Sequence, residues 1–150
     1  RSIENTVQEK ADHIQENREE IELTQEVQSM WLRAQQETSP MQKIAIYDQL
    51  LRLRQNDCEA LTYKADAVLE LDEPQWAVSL CHQALTIDPE NSHAFYQLAC
   101  AYTALDQYDE AIEYLEKVVN GNDSYRELVQ TDHALSRLRE QEAFKILLNC

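Results

Sequence analysis

One glycine, Gly121, and three prolines, Pro40, Pro74 and Pro89, are all that this chain of 150 residues offers for tight turns. A sheet protein with many hairpins needs far more such residues, and phosphate-cradling loops need several glycines, so both are excluded. Basic residues are also scarce: 13 Lys and Arg stand against 28 Asp and Glu, a formal net charge of −15. That balance opposes nucleic acid and anionic membrane surfaces, which require clustered cations. No apolar run approaches the ~18 residues of a membrane span, so no direct membrane insertion is expected. The opening Arg1 to Thr6 lacks a signal peptide's apolar stretch, and the missing initiator Met suggests a processed or partial chain.

Catalytic and metal-binding patterns are lacking as well. Cys58, Cys81, Cys100 and Cys150 form no CxxC pair, which predicts free thiols in the cytoplasm or another reducing compartment. His13, His82, His93 and His133 are scattered without a zinc-ligand spacing, and no nucleophile lies in a recognisable motif. Glu19-Glu20 and Asp109-Glu110 read as solvated helix faces. The expectation is therefore a non-enzyme, with no catalytic residues, no metal and no cofactor.

What is present is helix-forming material: long runs of Ala, Leu, Glu, Gln and Arg. It is arranged with a period. Residues 58–91 align without gaps on residues 92–125, so that Ala60 falls on Ala94, Ala65 on Ala99, Ala77 on Ala111, Cys81 on Leu115 and Ala84 on Val118, every pair related as i to i+34. Two helices per unit are predicted, near 59–71 and 75–87, then near 93–105 and 109–120. Apolar residues at i, i+3, i+4 and i+7 mark their buried faces. Small residues where the helices cross, Ala65 with Ala77 and Ala99 with Ala111, let the backbones approach. Asp72-Glu73-Pro74 and Asp106-Gln107-Tyr108 form the links, and Ile87-Asp88-Pro89 ends a unit because proline cannot continue a helix.

This pattern resembles the tetratricopeptide repeat family, most closely from Ala94 to Lys117. The resemblance implies an all-α, right-handed superhelical stack of antiparallel helix pairs. A further step back gives a degenerate unit, 24–57, with Val27, Met30, Trp31 and Ala34 on its first helix and Ile44, Tyr47, Leu50 and Leu51 on its second. Lys43 stands there in place of Ala77 and Ala111. Asn120-Gly121-Asn122 is expected to stop a helix, with the glycine in the left-handed position. Residues 126–150 then resemble the closing helical cap of bacterial-type arrays, at Asp132, Leu135, Leu138, Arg139, Phe144, Leu147 and Leu148.

Residues 1–23 form a polar helical extension in which Val7, Ile14 and Ile21 step by seven. Lys10, Asn17 and Thr24 occupy the partner positions. Two readings stay open: a coiled coil that pairs chains as a structural oligomerisation module, or a helix continuing into the first unit. Oligomeric state is not fixed by the sequence.

Family resemblance also implies a concave groove lined by the first helix of each unit. Projected onto this chain it selects Gln25, Gln28, Ser29, Leu32 and Gln35, then Glu59, Thr62, Tyr63, Asp66 and Glu70, then His93, Tyr96, Gln97, Cys100 and Thr103. Among these, Gln28, Leu32, Thr62, Tyr63, Asp66, Tyr96, Gln97 and Cys100 are the candidate protein-binding residues. Tyr63 and Tyr96 read either as anchors for a bound segment or as packing between units. Tyr102, Tyr108, Phe95 and Trp76 read as core. Family members that grip a chaperone's C-terminal carboxylate do so with Lys, Asn and Arg at inner positions; Thr62, Asp66, Tyr96 and Cys100 stand there instead, which disfavours such a clamp. The expected partner is a basic or neutral protein segment, bound by an interaction scaffold that could serve assembly of a larger complex.

Overall fold

The computed structural model describes residues 2–121 and 123–148. Its helices are α1 (Ile3–Gln36), α2 (Pro40–Leu53), α3 (Cys58–Glu70), α4 (Pro74–Ile87), α5 (Ser92–Ala104), α6 (Tyr108–Gly121), α7 (Ser124–Thr131), α8 (Ser136–Arg139) and α9 (Glu142–Leu148). A 3-10 turn, His133–Leu135, links α7 to α8. No strand occurs among the described residues. The starts of α2, α4 and α6 at Pro40, Pro74 and Tyr108 keep the period of the sequence, as do those of α3 and α5 at Cys58 and Ser92. The array is thus three antiparallel helix pairs stacked in order, with α7 to α9 beyond the last pair.

Helix starts follow local chemistry. The Asp57 carboxylate accepts from the Ala60 amide at 3.0 Å, Asn91 accepts from Ala94 at 2.9 Å, and Ser39 caps α2. Each satisfies an amide that has no partner within the helix. Helix ends are less expected in a chain so poor in glycine. Asp72 and Asp106, at equivalent positions of successive units, take φ of 60° and 59°. The Glu73 amide reaches back to the Val68 carbonyl at 3.2 Å and the Gln107 amide to Tyr102 at 2.9 Å, closing the six-residue C-cap that glycine usually serves. Aspartate is among the few other side chains tolerated there. Gly121, expected in that role, instead ends α6 as a helical residue, and no described glycine has a positive φ. Asn122 lies outside the described residues.

Ala65, Ala77, Ala99 and Ala111 are all completely buried, so α3 against α4 and α5 against α6 pack at close range. Around them the core forms two adjoining clusters, one with Val27, Met30, Leu50, Leu61, Val68 and Leu98 and one with Leu115, Val118, Leu135 and Phe144, and Leu85, Tyr102 and Tyr114 pack against both. Phe95 is buried, and Tyr102 and Tyr108 are half-buried against this core. Trp76 departs from its expected core position. It is 42 % exposed on the outer surface, where the Lys64 ammonium lies 5.3 Å from its ring centre and also pairs with Asp48 at 2.6 Å. The indole is shielded by a cation rather than by a neighbouring helix.

Cys58, Cys81 and Cys100 are free thiols; Cys150 lies outside the described residues. Burial, then the field of Asp66, pushes the Cys81 thiol up to about 12, so it acts as a small apolar side chain. The first helix is unbroken from Ile3 to Gln36, but every residue from Ser2 to Glu22 is exposed, and burial begins at Val27.

Ala111→Leu should destabilise the fold by about 1–3 kcal/mol, because an isobutyl group at a filled crossing forces α5 and α6 apart. Chemical unfolding measures it, and an unchanged midpoint would show that this face is misassigned.

Candidate functional site

The first helix of each pair lines one side of the stack, and there a cleft of about 620 Å³ opens between the units. Ala34 and Gln35 of α1, Lys43 and Tyr47 of α2, Tyr63, Asp66 and Glu70 of α3, and Tyr96, Gln97 and Cys100 of α5 line it. Asp132 and His133, beyond α7, close its far end. A second cleft of about 310 Å³ adjoins, sharing Ala34, Gln35, Tyr47 and Tyr63 and adding Trp31 and Glu59.

The first pair explains why the clefts lie here. Trp31 stands one period before Ala65, and Lys43 one period before Ala77. The first crossing thus carries an indole and a lysine where the others carry two alanines. Two large side chains prevent close approach, and α1 packs less extensively on α2 than α3 does on α4. Trp31 turns instead toward Tyr47 and Tyr63, with ring centres 5.8 and 5.5 Å away, while Tyr47 and Tyr63 are 6.2 Å apart. The Lys43 ammonium reaches Glu70 at 4.0 Å.

Charge in the clefts is one-sided. Glu59, Asp66, Glu70 and Asp132 face one lysine, Lys43, already beside Glu70. His93 Nε2 lies 3.0 Å from the Asp66 carboxylate, within hydrogen-bond distance, and its ring centre is 5.5 Å from that of Tyr63. Burial first, then the field of Asp66, raises the Tyr47 phenol above its ordinary value.

At the far end Tyr96 is 4 % exposed, and its hydroxyl donates to the Asp132 carboxylate. Burial and that hydrogen bond push the phenol far up. The other Asp132 oxygen accepts from the Ala134 amide at 2.9 Å, and Arg139 Nη1 donates to the Val129 and Asp132 carbonyls at 3.1 and 2.6 Å. This network fastens the segment after α7 onto α5.

The structure brings five of the eight candidate residues to the cleft: Tyr63, Asp66, Tyr96, Gln97 and Cys100. Only two of these offer much surface. Tyr63 is 40 % exposed, whereas Tyr96, Gln97 and Cys100 form a buried floor, and burial pushes the Cys100 thiol up. Thr62 does not line the cleft: it is buried and donates to the Glu59 carbonyl of its own helix at 3.0 Å. Gln28 and Leu32 are exposed on α1 and line neither cleft. Trp31, Tyr47, Lys43, Asp132 and His133 were not among the candidates. For Trp31 a signal existed: an indole at a position where both later units hold alanine.

Residues 68–131 match the tetratricopeptide repeat family, spanning α4, α5, α6 and α7. Over these residues the chain is similar to tetratricopeptide repeats. The second such domain of Spaghetti (RPAP3), solved with the HSP90 peptide SRMEEVD, is 24 % identical, covering 62 % of this chain and 89 % of that one with a TM-score of 0.58. The TPR2B domain of yeast Sti1, solved in complex with pHsp70, is 22 % identical, covering 79 % and 96 %, TM-score 0.59. MamA from Desulfovibrio magneticus RS-1 is 21 % identical, covering 73 % of this chain and 61 % of that one, TM-score 0.59. Likenesses at this level of identity establish the fold, an all-α tetratricopeptide-type solenoid. No curated protein matches the sequence. No helix among the described residues is long and apolar enough to cross a membrane, and none of these residues form a group of three or more side chains suited to a metal ion.

Tyr96→Phe in this helical array should cost about 1–3 kcal/mol, since it leaves an Asp132 oxygen without its donor. Amide exchange should accelerate in residues 124–148 and not in α3 or α4; unchanged exchange there would mean that this hydrogen bond does not fasten the C-terminal segment.

Proposed function

We propose that this chain is a protein-interaction scaffold that holds a basic or neutral segment of another protein against its concave face, as an adaptor in a larger complex. The observation that carries this reading is the sign of the cleft: four carboxylates against one lysine that is already beside Glu70. An anionic ligand would approach against this field and against the net charge of −15. The Spaghetti domain was solved with SRMEEVD, a peptide rich in carboxylates. Here Asp66, Tyr96 and Cys100 occupy the inner positions, and a clamp for a C-terminal carboxylate has no arginine to build on.

A second reading is favoured by one observation. Ile3, Val7, Ile14 and Ile21 are each more than half exposed on the projecting part of α1, as a pairing stripe would be. Against self-pairing, residues 2–22 carry seven Asp and Glu and only Lys10 and Arg18, so two copies would repel. A dimer in sedimentation that disappears when residues 2–22 are removed would favour this alternative.

The cleft reading is tested with a short synthetic peptide carrying three arginines and three leucines. Its affinity should fall with added salt, and Asp66→Lys should slow association by about tenfold. Asp109→Lys, at an exposed position outside the clefts, should change it far less. An affinity indifferent to salt and to Asp66 would refute the assignment while leaving the repeat fold intact.

A further inference from the structure

The smaller cleft holds a combination that the larger one lacks. Its walls are three aromatic rings from three helices, Trp31, Tyr47 and Tyr63, each with its centre 5.5–6.2 Å from both others. The rings are tilted against one another by 34–70°, with Trp31 and Tyr63 edge to face, so together they form an angled aromatic wall on the cleft. Glu59 stands on the same cleft, exposed and without an ion-pair partner among the described residues. Asp66 and Glu70 add negative charge from the adjoining cleft. A ring face is the negative pole of an aromatic quadrupole, and a carboxylate beside it strengthens attraction for a cation. This chain already places cations over ring faces at Lys64 on Trp76, 5.3 Å away, and Lys117 on Phe95, 5.6 Å away. Neither Lys64 nor Lys117 lies over the Trp31 cluster, and the His93 ring borders it with its centre 5.5 Å from that of Tyr63.

Trp31 is also out of step with the repeat. At the equivalent position both later units hold alanine, buried in the helix crossing. An indole there costs the first pair its close packing and leaves a partly exposed ring facing an acid-lined opening. A residue placed for packing alone would be small.

We propose that the cleft formed by Trp31, Tyr47, Tyr63 and Glu59 is a receptor for an arginine side chain, the anchor of the basic segment that the larger cleft holds. The inference rests on the concave-face reading and names the group recognised within it. Arginine fits better than lysine because its planar guanidinium stacks on a ring while its N–H edge meets a carboxylate. It is also less strongly hydrated than an ammonium, which suits a site that stays partly open to water. Tyr63 at 40 % exposure supplies the accessible ring surface, flanked by Trp31 and His93, and the buried Tyr47 holds the cluster in place.

The test uses small probes, so that it does not depend on a peptide fitting the larger cleft. In a Trp76→Phe background Trp31 is the only indole, since the chain has two tryptophans. Its N–H signal is followed by NMR during titration with Nα-acetyl-arginine methylamide. The citrulline analogue, equal in shape and uncharged, and tetramethylammonium serve as comparisons. Saturable shifts are expected with the arginine probe, at about tenfold higher affinity than with citrulline. Tyr63→Leu and Glu59→Gln should each weaken the arginine probe several-fold; Glu59 is exposed, so its variant keeps the test sound if Tyr63→Leu disturbs packing. Equal affinity for citrulline, indifference to both variants, or tighter binding of tetramethylammonium would overturn the proposal. If the arginine probe fails while the peptide still responds to Asp66→Lys, only this inference falls. If the probe binds as expected while the peptide ignores Asp66, the receptor stands and the concave-face reading fails.

Discussion

The architecture depends on how closely two helices approach at each crossing, and alanine decides it. Ala65 against Ala77 and Ala99 against Ala111 have no accessible surface, so each pair locks at short range and presents a flat flank to the next. Stacking those flanks buries Leu61, Leu98 and Leu115 and sets the first helices side by side along one face. The concave surface is a geometric consequence of that packing. In the first pair the constraint is relaxed: Trp31 and Lys43 replace the two alanines, and both side chains leave the crossing for the cleft. The same substitution that weakens one hairpin supplies the cleft's aromatic wall and its only lysine.

A second constraint closes the far end. Beyond α6 no further repeat follows within the described residues, and the last pair would expose Leu115 and Val118 without a cover. Leu135, Leu138 and Phe144 provide it. Polar groups position this cover: the Tyr96 hydroxyl donates to Asp132 across the interface, and Arg139 donates to the carbonyls of Val129 in α7 and of Asp132 just beyond it. Asp132 thus ends up both as a fastening group and as part of the cleft wall.

The second and third pairs were legible in the sequence because their information is local and repeated. Residue size at the crossings and the spacing of apolar residues both return once per period, and packing has nothing to override. What was not legible follows from side chains acting outside that pattern. Asp72 and Asp106 end helices in a glycine's conformation, which composition alone cannot assign. Trp76 is large and apolar but is covered by Lys64 instead of a helix, because the core beside it is already filled by Ala77 and Leu80. Thr62 lies on the correct helix for the groove but on its packed flank. Lys43, Tyr47 and Asp132 reach the cleft from second helices and from the C-terminal segment, which a projection of first helices cannot include.

The central claim is that the acid-lined concave face receives a basic segment, with an arginine on the Trp31 cluster. A crystal structure of the chain with an arginine-bearing peptide tests it most directly. The account predicts the peptide along α3, between Tyr63 and Asp66, with a guanidinium stacked over Trp31 or Tyr63 near Glu59. A peptide seated on the outer helices beside Trp76, or along the projecting turns of α1, would contradict it.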